Sequence, residues 1–235
     1  MTGGSAGMGV AFVEALAQHG ARVISVARRF EDASETADRI RLVGCDVTDQ
    51  RERETLVAKV LAEYGRIDIL VNNAGMTSTV RTVDETLARF EAVVALNLVA
   101  PFALAQLVAP GMLERGSGSI VNVASIAGLV GIGRMPQAAY TASKHGVIGL
   151  TRELALQWAR KGIRVNALAP AFFPTEMTAE LFAAESGQRW LSDLTPLGRG
   201  GRLDELVGGL LYLADPANSY TTGIVLPVDG GWTAA

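Results

Sequence analysis

The chain has 235 residues, enough for one domain with a full core and no need of disulfide staples. A formal net charge of −3 and a pI near 5.5 offer no basic surface to nucleic acid or to an anionic membrane. Hydrophobic residues make up 49% of the chain but fall in short runs, and no uninterrupted apolar stretch approaches the roughly 20 residues of a membrane span. The N-terminus also lacks a secretory layout. Cys45 is the single cysteine, and His19 and His145 are the two histidines, so neither an internal disulfide nor a metal cluster is expected. The expectation is a soluble, cytoplasmic protein.

The chain opens with MTGGSAGMGV, a glycine turn leading into the helical pattern 7–19, which Gly20 closes. Glycine at 3, 7 and 9 lets backbone approach a pyrophosphate, and a helix N-terminus offers free N–H groups and a positive dipole end. Ser5 and Met8 lie within the same turn. The β-branched run 21–27 follows as a strand and ends in Arg28 and Arg29. No carboxylate stands there to hold a ribose 2′-hydroxyl, and two guanidiniums suit a 2′-phosphate, which points to NADP(H) over NAD(H). The link to the next strand, 41–45, is short, so any helix in it has one or two turns.

Helix 50–64, closed by Gly65, leads to strand 67–72, and helix 84–114 to strand 118–124. Helix 140–161, closed by Gly162, leads to strand 163–169, and helix 204–214 to strand 223–228. Alternation of this kind predicts a single α/β domain over 1–235 with a doubly wound parallel sheet of Rossmann type. Tyr140 and Lys144 share one helix face at an i, i+4 spacing. A nearby ammonium favours a phenolate and lowers the tyrosine pKa. Ser125 ends the strand before that helix, where ligands bind in open α/β sheets, and its hydroxyl can donate to a developing oxyanion. Trp158 and Leu154 read as core or as subunit contact.

The chain resembles a classical short-chain dehydrogenase/reductase over essentially its whole length. The resemblance rests on TGGSAGMG (2–9), CDVTD (45–49), NNAG (72–75) and ALNLVAPF (95–102). It continues through Ser125, YTASK (140–144), RVNALAP (164–170) with Thr175, and VDGG (228–231). It implies a catalytic tetrad of Asn97, Ser125, Tyr140 and Lys144. It further implies that Asp46 and Val47 hold the adenine and that Asn73, Ala74 and Gly75 border the cofactor. The segment Pro170, Phe173 and Thr175 would meet the nicotinamide carboxamide, and residues of about 171–200 would form a substrate lid. The family also points to a homotetramer, or a homodimer, with helices 84–114 and 140–161 in one interface. Val93, Leu96, Leu104, Leu107, Val108, Val147, Leu150, Leu154 and Trp158 are the apolar candidates for it.

Three departures from the family pattern stand out. Ala171 follows Pro170 where glycine is usual, and the Ser125–Tyr140 spacing is slightly long, implying a fuller loop at 131–138. The third is the strand expected ahead of Thr2, where a single Met1 stands. Removing a central strand would leave unpaired backbone groups inside the sheet. One reading is a start assignment in which a GTG valine codon was taken as Met1; the other is a shortened protein with an open sheet. The expected activity is an NADP(H)-dependent oxidoreductase passing a hydride between nicotinamide and a small-molecule carbonyl or secondary alcohol. Alternatives are a 3-oxoacyl thioester reductase, a polyol or sugar-acid dehydrogenase, and a catalytically idle binding protein.

Overall fold

Six of the β-branched runs form strands at the expected places in a computed structural model that describes residues 1–30, 34–37 and 39–234. They are β1 (Val23–Ala27), β3 (Ile40–Gly44), β4 (Ile69–Asn72), β5 (Gly118–Val123), β6 (Ile163–Pro170) and β7 (Val225–Val228). The remaining strand, β2 (Ser34–Ala37), occupies the link for which a helix of one or two turns was the expectation. It pairs antiparallel with β3, whereas the other strand pairings among the described residues are parallel. The rest of that link, 31–33 and 38, lies outside the described residues.

Parallel neighbours need crossover connections, and helices supply them. α1 (Met8–Gln18) precedes β1, and α2 (Gln50–Tyr64) joins β3 to β4. Asp49 accepts a hydrogen bond from the Glu52 N–H at the start of α2, and Gly65 ends it at φ 73°. α3 (Leu87–Val94) and α4 (Ala100–Arg115) join β4 to β5, α5 (Ala138–Trp158) joins β5 to β6, and α8 (Leu203–Ala214) precedes β7. Between β6 and α8 lie the short α6 (Ala179–Ala183) and α7 (Glu185–Leu194), within the expected lid.

Helices cover both faces of the sheet. Leu56, Val57, Leu104, Val108 and Met112 pack with Ile120, Ile163 and Val165 on one side. Phe12, Val13, Leu16, Leu206 and Leu210 pack with Val71, Val121 and Leu168 on the other. All eight residues of β6 are buried; six are apolar, and the two polar ones, Arg164 and Asn166, donate to Leu213 O and Thr221 O. The continuous helical stretch Leu87–Arg115 is long and apolar enough to cross a membrane by length and composition alone. Here its inner face packs on the sheet through Leu104, Ala105 and Val108.

Two findings correct the sequence expectations. First, helix 84–114 is not uniform: Ala95–Val99 forms a turn of π-helix between α3 and α4. Pro101 lacks an N–H, so the Asn97 carbonyl has no i+4 donor. π-turns of this kind occur often at functional sites. Second, Val93, Leu104, Val108, Val147 and Leu154 face the chain's own core, so they are not spare apolar surface. The apolar residues these two helices leave exposed include Val99, Phe102 and Leu156.

The sheet falls into two ladders, β2-β3-β1 and β4-β5-β6-β7. Among the described residues, Met1, Thr2 and Gly3 run between β1 and β4. The Thr2 N–H donates to Val71 O at 3.0 Å, and the Gly3 N–H donates to Val26 O at 2.7 Å. Below Met1 a cleft of about 470 Å³ separates the strands.

Candidate active site

A groove of about 660 Å³ opens at the C-terminal ends of β1, β3 and β4, where the crossover geometry leaves the sheet edge uncovered. Gly3, Ser5, Gly7, Met8 and Gly9 form one wall, as the glycine spacing predicts. The glycines are there for space. A Cβ on Gly9 would lie 1.9 Å from Gly3 O, and one on Gly3 would lie 2.8 Å from the backbone of Ala74. Gly3 and Gly7 also hold φ values of 68° and 50°.

Thr2 ties this wall to the next one. Its hydroxyl accepts from the Asn73 N–H at 3.1 Å and the Ala74 N–H at 3.0 Å, while Asn73 Nδ2 donates to Gly3 O at 3.0 Å. Asn73, Ala74 and Gly75 therefore line the groove through a seam that fixes the glycine turn. Sequence reasoning gives Thr2 no role of its own; its only signal is its place as the Thr of TGG.

Arg28, Arg29, Asp46 and Val47 line the outer end. Arg28 is largely exposed and lies 3.9 Å from the Asp46 carboxylate. Arg29 Nε donates to Ser5 Oγ at 2.6 Å, and its guanidinium lies 3.7 Å from Glu176. Burial disfavours the Asp46 charge, but hydrogen bonds from Thr48 and the charges of Arg28 and Arg53 win and hold the carboxyl below its ordinary value. Cys45 is buried and also lines this groove; burial pushes its thiol up to about 11. A thiol with that value is protonated and inert at neutral pH.

Of the segment after β6, Thr175 reaches the groove, and a Cβ on Gly7 would sit 3.1 Å from its side chain. Pro170 and Phe173 do not line it. Pro170 ends β6 in register with Val228, and the Phe173 ring is buried against Gly201, where a Cβ would meet it at 2.3 Å. Glu176 and Met177, which the sequence does not single out, complete this wall.

At the inner end the four expected catalytic residues come together. Asn97 Oδ1 accepts from the Met76 N–H at 2.9 Å, and its Nδ2 donates to Met76 O at 2.9 Å and to Ser143 Oγ at 3.0 Å. The side chain thus clamps the loop after Gly75 to α5. A Cβ on Gly75 would lie 3.3 Å from Asn97 Oδ1 and 3.7 Å from Lys144 Nζ, so both residues border the groove. Lys144 Nζ is buried, donates to Val123 O at 2.7 Å, and lies 5.6 Å from the centre of the Tyr140 ring. Burial lowers its pKa to about 8. Ser125 caps a short 3₁₀ turn by accepting from the Ala127 N–H at 3.1 Å.

The Tyr140 hydroxyl departs from expectation. Burial raises its pKa, and hydrogen bonding with Ser125 pulls it only part of the way back. Lys144 does not bring it down, because its ammonium is directed to Val123 O and lies 5.6 Å from the ring centre.

A family model described as Enoyl-(Acyl carrier protein) reductase matches residues 3–233. The gluconate 5-dehydrogenase of Gluconobacter oxydans is 37% identical over 242 residues, covering 100% of this chain and 94% of that protein. The 3-oxoacyl-(acyl-carrier-protein) reductase of Thermotoga maritima is 38% identical over 238 residues, covering 98% and 95%. A gluconate 5-dehydrogenase from Burkholderia cenocepacia, solved in complex with NADP and tartrate, superposes with a TM-score of 0.94 at 34% identity, covering 100% of this chain and 94% of that one. A glycine-lined groove, the Ser125, Tyr140 and Lys144 cluster at its inner end, and relatives matched from end to end agree, and the chain belongs to the classical short-chain dehydrogenase/reductase family of NAD(P)-dependent oxidoreductases acting on CH–OH and C=O groups.

Proposed function

We propose that this chain is an NADP(H)-dependent oxidoreductase interconverting a carbonyl and a secondary alcohol through Asn97, Ser125, Tyr140 and Lys144. The observation that carries the reading is the meeting of Lys144 Nζ and Asn97 at the Gly75 end of the glycine groove, with the Tyr140 ring beside Lys144. The groove fits a dinucleotide on its own chemistry: the N-terminus of α1, glycines at which an added Cβ would clash, and cations at the outer rim. Bound there, the nicotinamide ring supplies or accepts the hydride.

In the reducing direction the Tyr140 hydroxyl gives its proton to the carbonyl oxygen, and in the oxidising direction it takes a proton back. The Ser125 hydroxyl donates to the same oxygen as charge builds on it. Lys144 remains mostly cationic at pH 7 with a pKa near 8, anchored on Val123 O, and is the cation that would hold the ribose of the nicotinamide. The Asn97 carbonyl, left without its helical donor by Pro101, holds a water that relays protons to Lys144. Arg28 and Arg29 take the 2′-phosphate, and Asp46 and Val47 take the adenine.

A polyol or sugar acid is the substrate class that the relatives favour, since gluconate 5-dehydrogenases recur among them; a 3-oxoacyl thioester is the second reading. A homotetramer, or a homodimer formed through the exposed apolar residues of α4 and α5, working in the cytoplasm, completes the proposal. The test is a panel of hydroxy acids, polyols and 3-oxoacyl thioesters, each run with NADPH or NADP⁺ and with NADH or NAD⁺. Turnover of hydroxy acids with NADP⁺ is expected; absence of turnover with every member would contradict the reading.

A further inference from the structure

We propose that Arg134 forms an anion subsite beside the candidate catalytic residues and takes the carboxylate of a hydroxy-acid substrate. The proposal rests on the preceding reading, in which Tyr140 works on the substrate's carbonyl or hydroxyl, and adds the group that recognises the acid end. The loop carrying Arg134 leaves the short turn capped by Ser125 and returns as the first turn of α5, which holds Tyr140. Both of its ends are therefore anchored by residues of the candidate site. At its start Gly128 presses on α5, where an added Cβ would lie 2.7 Å from the backbone oxygen of Lys144. Its tip is the fuller stretch implied by the long Ser125–Tyr140 spacing. Gly133 turns that tip at φ 61°, and Arg134 follows it.

The tip meets a wall of aromatic rings. The Arg134 guanidinium lies over the Trp190 ring, 5.3 Å from its centre, at cation–π distance. Trp190 is buried on α7, and its ring centre is 5.2 Å from that of Phe172 and 5.3 Å from that of Trp232. Phe172 and Trp232 are themselves 5.2 Å apart. Three rings thus tie the segment after β6, the lid helix α7 and the turn at Trp232 into one unit. β5 and β6 are neighbours, with Val123 opposite Leu168 at their C-terminal ends. The loop leaving β5 and the segment leaving β6 therefore rise from the same end of the sheet, where ligands bind in open α/β folds. The Arg134–Trp190 contact joins the two.

Stacking occupies one face of the guanidinium and leaves its N–H edge open. The two arginines of the lid are already paired, Arg189 with Glu185 and Arg199 with Glu205. Arg134 has no carboxylate within 4 Å among the described residues, and it is exposed. A planar guanidinium held flat against a ring presents parallel N–H bonds that a carboxylate accepts in pairs. A neutral polyol offers no charge to that edge. The subsite therefore favours the acid over the polyol of the same chain length.

Calorimetric titration of the Tyr140→Phe chain, which is expected to bind substrate without turning it over, reads the subsite directly. The titrants are straight-chain hydroxy acids from glycolate to gluconate and the polyols of matching length, each with and without NADP⁺. Arg134→Met in the same background keeps an apolar side chain against Trp190 and removes the charge, whereas Arg134→Lys keeps the charge without the fork. At least one acid is expected to bind about tenfold or more tightly than its polyol. Arg134→Met should remove that advantage, and Arg134→Lys should retain part of it. Equal weakening of acids and polyols by Arg134→Met would make the residue a prop for the lid and overturn the proposal. So would an acid preference that survives Arg134→Met, or failure of every acid to bind. Kinetics with Tyr140 intact separate this from failure of the preceding reading. Turnover of polyols but not of acids would sink the subsite alone. Arg134-dependent binding of an acid without any turnover would leave the subsite standing and remove the reading.

Discussion

Arg28 faces the Asp46 carboxylate across 3.9 Å at the rim of the glycine groove, with most of its side chain in solvent. An exposed pair of this length contributes little to stability, so the guanidinium is available to an incoming anion. Charge-assisted contacts to a phosphate contribute about 1.5–3 kcal/mol, a factor of ten or more in affinity. Arg28→Asp should therefore weaken NADPH binding at least tenfold and bring NADH level with it or ahead. Fluorescence titration of the reduced cofactors measures both, and unchanged NADPH affinity would remove Arg28 from the site.

The glycines make a prediction with an internal control. Gly9→Ala would place a methyl 1.9 Å from Gly3 O, which cannot move without breaking the seam to Asn73. Loss of cofactor binding is expected. Gly208 lies inside α8, and a methyl added there would meet nothing within 4 Å, so Gly208→Ala should stabilise by about 0.5–1 kcal/mol. Urea titration of the two variants checks the contrast.

Lys144 predicts a pH dependence of stability. Its folded pKa, about 8, lies below its ordinary 10.5 because burial disfavours the ammonium. Below pH 8 both folded and unfolded states hold the proton, and the full burial penalty destabilises the fold. Between pH 8 and 10.5 the unfolded state binds more protons, so this penalty is relieved as pH rises. Lys144→Met should stabilise the chain at pH 7 by about 2–3 kcal/mol while removing activity, with the gain shrinking toward pH 10.5. A constant difference across that range would contradict the assignment.

Assembly is testable on the corrected surface. Val99, Phe102 and Leu156 are 49%, 45% and 79% exposed on the chain alone, an apolar load that a partner copy would cover. Light scattering at micromolar concentration should give a multiple of 24.7 kDa, and Phe102→Asp with Leu156→Asp should lower it. A mass of one chain for the unaltered protein would contradict the assembly.

The strands and most helices are legible in the sequence because β-branched runs and glycine stops mark them locally. The run IRVNALA (163–169) reads as strand and lies buried throughout in β6, which continues to Pro170. The π-turn at Ala95–Val99 escapes a reading by periodicity, although Pro101 four residues after Asn97 is a visible cause. β2 is not legible because Ser34–Ala37 has little strand character of its own and takes its form from pairing with β3. The five core-facing residues on α3, α4 and α5 pass for subunit contacts because helical periodicity shows a wide apolar face without saying which part meets the sheet. The raised Tyr140 pKa depends on burial and on where Lys144 points, which spacing alone does not encode.

The central claim is that Tyr140 carries the proton to and from the substrate oxygen beside a bound dinucleotide. Tyr140→Phe keeps the ring that packs beside Lys144 and removes only the hydroxyl. The direct measurement is turnover of this variant in both directions, paired with its NADPH affinity by fluorescence titration. The account predicts turnover lowered by about 10²-fold or more with affinity within about twofold of the unaltered chain. Turnover close to that of the unaltered chain, with affinity intact, would contradict it.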